Sequence, residues 1–145
     1  MHYNDAMAED ENQDGQEARG VWVGAGGSAE ARKGAVDYAA ELTVQLKKGT
    51  LTQCVLLATS EPVYASEILL RLGEAELEIV EGTIYPLLSR LARDGLLMHE
   101  WQESRSGPPR KYYRITEYGR AVRECLGGQI HKMDSVIKKL ERKAK

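Results

Sequence analysis

"EGTIYPLLSRLARDGLLMHEWQESRSGPPRKYYRIT", residues 81–116, sets a helical pattern directly before a strand pattern. In its first half Ile84, Leu87, Leu88 and Leu91 fall at the three-and-four spacing of one helix face. Thr83 is the candidate cap, which puts Pro86 in the first turn, where no backbone N–H is required. Gly95 then closes the helix. The opposite face carries Tyr85, Ser89, Arg90 and Arg93. Hydroxyls and arginines on an outward face suit a major groove, or plain solvation. The second half predicts two short strands, about 97–102 and 111–115, flanking a turn-rich loop with Gly107, Pro108 and Pro109. On the second strand Tyr113 and Ile115 share one face, and Tyr112 and Arg114 share the other. One tyrosine therefore packs inward while its neighbour faces a partner. The stiff tip would hold Arg110 and Lys111 against a phosphate backbone.

Upstream, Tyr38, Leu42 and Leu46 recur every four residues, and Leu51, Val55 and Leu56 carry the stripe toward Ser60. This predicts a helix from about residue 31, broken near Gly49 and ending before Pro62. A short second helix is expected over 64–72, with Ile68, Leu69 and Leu72 inward and Gly73 as its stop. Downstream, Thr116 caps a long helix with Glu117 in its first turn. Its apolar positions Val122, Leu126, Ile130, Met133, Ile137 and Leu140 step by threes and fours, ending as a coiled-coil seam. Tyr118 is expected to pack. With three helices and a hairpin closing one core, that stripe calls for a second chain, the alternative being packing within its own chain. Three helices followed by a hairpin give the expected fold class: mainly α with a small β part, a winged helix-turn-helix with a long C-terminal dimerisation helix. The expected division is a disordered acidic tail (1–30), an N-terminal helix plus winged helix-turn-helix (31–116), and a dimerisation helix (117–145).

The net charge of −2 conceals a gradient. Residues 1–32 carry a net −5, whereas residues 104–145 carry a net +8. A polyanion would approach the C-terminal third. The first thirty residues are polar, acidic and glycine-rich, too poor in apolar surface to offset their ordering entropy. Cys54 and Cys125 sit among apolar residues without metal-ligand spacing and read as reduced thiols. His2, His99 and His131 are too scattered to suggest a metal site, and no cofactor is implied. No apolar run approaches the ~20 residues that span a membrane, and the acidic start lacks the pattern of a signal peptide. A cytoplasmic location is expected.

At "KKGTLTQCVLL", "VEGTIYPLLSRLARDGLL", "EW" and "SGPPRKYYRITEYGR" the sequence resembles the PadR-like transcriptional regulators, over about residues 45–140. The resemblance implies a dimeric bacterial repressor on a pseudo-palindromic double-stranded DNA site. Recognition helices would enter successive major grooves, and wings would touch the flanking backbone. It carries a DNA-contacting role onto Thr83, Tyr85, Ser89 and Arg90 of the third helix, and onto Arg110, Lys111 and Tyr112 of the wing. It also implies release by a small-molecule effector or a protein partner. Two departures stand out. Where relatives open the second helix with Tyr-Gly-Tyr-Glu, this chain reads "VYASEI". Its last helix reads "CLGGQIHKM" at 125–133, where many relatives place a tryptophan, so the aromatic needed to stack a flat drug is missing there.

A second class stays open, a winged-helix protein-interaction module without specific DNA binding. Catalysis is not expected, because no cysteine or serine lies in a nucleophile motif and "GAGG" (24–27) lacks the strand-to-helix context of a nucleotide fingerprint. Trp101 reads first as packing on the hairpin and second as a ligand platform.

Overall fold

The computed structural model describes residues 28–144, so the acidic tail before Ser28 lies outside the described residues. In order the elements are α1 (Ala29–Ala58), β1 (Val63–Tyr64), α2 (Ala65–Glu74), α3 (Glu81–Arg93), β2 (Leu97–Ser104), β3 (Gly107–Ile115) and α4 (Glu117–Ala144). They fall into two units, Met1–Glu41 and Leu42–Lys145. In the first, the described part is the opening of α1. Ser28 caps it, its Oγ accepting the Ala31 N–H at 3.1 Å.

In the second unit α1 runs unbroken through Gly49, contrary to the expected break. One interior glycine costs roughly 1 kcal/mol, which the helix-forming Leu46, Lys47, Lys48 and Leu51 around it can offset. The helix then meets the core: Val55 and Leu56 are fully buried and cluster with Ile68 and Leu72 of α2 and Ile84, Leu88 and Leu91 of α3. Val63, Leu97, Tyr113 and Ile115 of the sheet close the cluster. Each aliphatic side chain removed from water there contributes about 1.5–3 kcal/mol. Buried Thr59 joins helix to sheet. Its hydroxyl donates to the Val55 carbonyl at 2.9 Å, and its own carbonyl accepts the Ile115 N–H at 2.9 Å.

Helices α2 and α3 end in the same hydrogen-bonded motif. In α3 the Leu96 N–H reaches the Leu91 carbonyl at 2.9 Å, with Gly95 in the left-handed region at φ 83°. In α2 the Leu77 N–H reaches the Leu72 carbonyl at 2.8 Å, but the left-handed residue is Glu76 at φ 66°. Gly73 therefore lies inside the helix and is not its stop. Leu77, packed against the core, fixes the turn one residue beyond Glu76. Helix α3 begins a turn earlier than expected. Val80 is extended and its carbonyl accepts the Thr83 N–H at 3.0 Å and the Ile84 N–H at 3.2 Å. Thr83 is thus the third helical residue rather than the cap, and Pro86 lies within the helix. Leu77 and Ile79, both packed on the core, anchor the segment just upstream and so decide where the helix starts.

The antiparallel sheet has the order β1-β3-β2. The hairpin is longer than the sequence suggested, its strands joined by Arg105 and Ser106 alone. Gly107, Pro108 and Pro109 lie in β3, not in a loop. Gln102 pairs with Arg110 and Ser104 with Gly107, so Glu103 faces both prolines across a bulge. Strand β1 pairs with β3 only at Tyr112 and Tyr113, so the prolines interrupt no ladder on that side.

Thr116 caps α4 as expected, its Oγ1 accepting the Gly119 N–H at 2.9 Å and donating to the Gly95 carbonyl at 2.7 Å. Gly119 is the buried residue of this helix. A Cβ there would stand 2.7 Å from Ile115 Cγ1 and closer still to the Leu96 carbonyl oxygen. The helix continues without interruption through Gly127 and Gly128. Gly127 leaves room for Gln53 of α1, whose Nε2 donates to the Arg123 carbonyl at 3.0 Å. Val122 packs against the core, Leu126 and Ile130 are half-buried, and Met133, Ile137 and Leu140 are exposed. Tyr118 is exposed rather than packed, because Gly119 takes the inward position beside it.

Candidate nucleic-acid interface

Burying Ile84, Leu87, Leu88 and Leu91 turns the opposite face of α3 outward. Thr83, Tyr85, Ser89, Arg90 and Arg93 are all exposed there. Beside that face lies an open cleft of about 530 Å³. Tyr85 and Ser89 of α3 form one wall, and Trp101, Arg110, Lys111 and Tyr113 of the hairpin form the other. Tyr64, Ala65 and Ser66 close its end. No side chain caps α2 at Tyr64, so its first turn brings the positive end of the helix dipole to the cleft.

The hairpin register decides how the cations reach this space. Lys111 stands opposite Trp101, so both side chains leave the same face of the sheet. The Lys111 Nζ lies 5.8 Å from the Trp101 ring centroid and 5.5 Å from that of Tyr113. Arg110 leaves the other face, the face of Tyr112. Its guanidinium carbon lies 4.7 Å from the Tyr64 ring centroid, at the end of the two-residue β1, where it also borders the cleft. The Tyr64 and Tyr112 rings meet edge-on at 5.5 Å. Each cation is therefore held over aromatic faces, an attraction of about 0.5–1 kcal/mol at an exposed site, and reaches outward with fewer rotamers to lose.

Of the seven residues singled out from the sequence, Tyr85, Ser89, Arg110 and Lys111 line this one cleft. Thr83 and Arg90 share the exposed face of α3 without lining it. Tyr112 borders a smaller recess with Pro62, Met98 and Arg114 on the opposite face of the sheet. Sequence reasoning missed Tyr64 and Ser66. It also read Trp101 first as packing, yet that indole is 64% exposed. The alternation signal placed Trp101 on a face, but only its pairing with Lys111 reveals that the face extends past the core. Among the described residues there is no group of three or more potential metal ligands, and no helix long and apolar enough to cross a membrane. The chemistry this arrangement offers is that of a groove-sized helix face beside a preset cationic wing.

Residues 55–124 match the family described as "Transcriptional regulator PadR-like family". The chain is 36% identical over 86 residues to Transcriptional regulator Rv3488 of Mycobacterium tuberculosis, a match spanning 51% of this chain and 79% of that protein. Among solved structures it is similar to a PadR-like transcription factor from Bacteroides fragilis (44% identity, TM-score 0.60), over 69% of this chain and 98% of that one. A PadR family regulator from Eggerthella lenta is 34% identical with a TM-score of 0.66, over 74% and 96% of the two chains.

Proposed function

The chain belongs to the PadR-like family of transcriptional regulators, a DNA-binding family and not one of enzymes, and from that premise we propose a dimeric repressor of a pseudo-palindromic duplex site. One observation carries the reading: Tyr85 and Ser89 of α3 share a cleft with Arg110 and Lys111 of the wing. In this proposal α3 lies in the major groove, where Thr83, Tyr85, Ser89 and Arg90 face base edges and the groove lip. Arg110 and Lys111 hold the adjoining phosphates, and Tyr112 acts from behind by bracing Tyr64 beneath Arg110. The division proposed remains an acidic segment (1–30), a DNA-binding body (31–116) and an association helix (117–145). Along that helix Leu126, Ile130, Met133, Ile137 and Leu140 form the seam to a second copy, beginning just beyond Val122, which packs on its own core. A small molecule or a protein partner releases the repressor, and the cytoplasm is where it meets its operator.

Fluorescence anisotropy against duplexes from the host genome, including the region upstream of the chain's own gene, tests this at low and near-physiological salt. The expected result is tight binding to one duplex that persists as salt rises. Lys111→Ala should weaken binding to every duplex and lower the salt slope by about 0.9, the share of one phosphate contact. Ser89→Ala or Arg90→Ala should shift preference between sequences by about 1–3 kcal/mol per lost base contact. Weak binding to all duplexes that vanishes with salt would sink the proposal and favour a protein-interaction module.

A further inference from the structure

Trp101 is the most exposed of the large apolar side chains that line the cleft. The other apolar residues of its hairpin face, Leu97, Tyr113 and Ile115, are buried at 4% exposure or less, whereas Trp101 stands 64% exposed between the wing cation Lys111 and the outer wall of α3. We propose that Trp101 is a direct contact to the sugar–phosphate backbone of double-stranded DNA, its indole forming the apolar floor on which one deoxyribose packs. This rests on the DNA-binding reading and adds to it a residue, and a kind of contact, that the cationic wing alone does not supply.

The occupant follows from what surrounds the ring. Lys111 and Arg110 border the same cleft and demand an anion, while Tyr85 and Ser89 on the facing wall belong to the helix that enters the groove. A strand passing from the groove lip to those cations crosses the indole. Its repeating unit is a phosphate followed by an apolar sugar, which matches a cation followed by an aromatic surface. The indole N–H can donate to a phosphate oxygen, and its carbon skeleton covers the sugar. The contact is blind to base identity because every nucleotide carries the same sugar. It is also unlike the lysine contact in one measurable way. An apolar surface releases no counterion, so its share of the affinity does not depend on salt.

The chain has two tryptophans, Trp22 and Trp101, so Trp22→Phe in the full-length chain leaves Trp101 as the one indole reporter. Titration of this protein with the operator duplex, and with an unrelated duplex at low salt, should change the Trp101 emission on binding. Trp101→Leu should weaken binding to both duplexes roughly tenfold, the scale of one well-packed aromatic contact, with an unaltered slope of log affinity against log salt. Trp101→Phe, which restores a ring, should recover most of that loss. Circular dichroism melts of the three proteins separate a lost contact from a lost fold, and equal melting temperatures are expected for so exposed a position. Unchanged emission on binding, or wild-type affinity in Trp101→Leu, would overturn the proposal while leaving the DNA reading intact. A salt slope lowered as far as in Lys111→Ala would also overturn it, since the ring would then act only by positioning Lys111. If the Trp22→Phe parent binds neither duplex, the DNA reading fails and this inference fails with it.

Discussion

Helices α3 and α4 are both amphipathic, yet they dispose of their apolar faces in opposite ways. In α3 the whole stripe is buried inside its own chain, and what remains outside is polar and cationic. In α4 full burial stops at Gly119, half-burial ends near Ile130, and Met133, Ile137 and Leu140 stand in solvent. The difference is one of length. Thirteen residues match the depth of the core, whereas a helix of twenty-eight, at 1.5 Å per residue, runs well past it. In the proposed reading, the helix satisfied on one side presents its other side to a groove, and the helix left unsatisfied is covered by a second copy of the chain.

The sharpest way to break this comparison is to truncate a leucine in each helix. Leu88→Ala in α3 should cost about 2–5 kcal/mol in denaturant unfolding at any protein concentration, because it opens a cavity at a fully buried site. Leu140→Ala should change the stability of the isolated fold by no more than about 0.5 kcal/mol, yet raise the concentration needed for association in sedimentation experiments. Equal costs for the two in dilute solution would remove the distinction. Gly119→Ala probes the point where α4 leaves the core. The added methyl meets the Leu96 carbonyl and Ile115, so a loss of about 1–3 kcal/mol is expected, read as a fall in melting temperature. The smallest effect separates two adjacent glycines. Gly128→Ala meets nothing within 4 Å and should stabilise by about 1 kcal/mol through helix propensity. At Gly127→Ala the same gain should be cancelled, since the new methyl would crowd Gln53 and loosen its hydrogen bond to Arg123, worth about 1 kcal/mol. Equal gains would mean that Gln53 does not tie α1 to α4.

The parts of the fold legible in the sequence were those set by near neighbours. The stripe of α3, the left-handed Gly95 and the Thr116 cap each follow from residues within a turn or two of one another. Misreadings arose where a distant contact decided. Gly73 had the right chemistry for a helix stop, but Leu77 seated in the core moved that stop onto Glu76, a residue that adopts the left-handed region at a cost of about 1–2 kcal/mol. Thr83 had the chemistry of a cap, but core contacts at Leu77 and Ile79 started the helix earlier. The prolines at 108 and 109 looked like loop residues because their tolerance within β3 depends on β1 being only two residues long.

The candidate site divides along the same line. Sequence by itself determined which side of α3 would be polar, that Tyr113 and Ile115 would share a face, and that positive charge would gather toward the C-terminus, because periodicity and charge are properties of the chain. Only the tertiary structure decided that Arg110 would rest on Tyr64, that Trp101 would stand opposite Lys111, and that both cations would border one cleft with Tyr85 and Ser89. Those relations depend on strand register and on the packing of hairpin against helix. Both are set by the joint burial of residues far apart in sequence, so no local pattern encodes them.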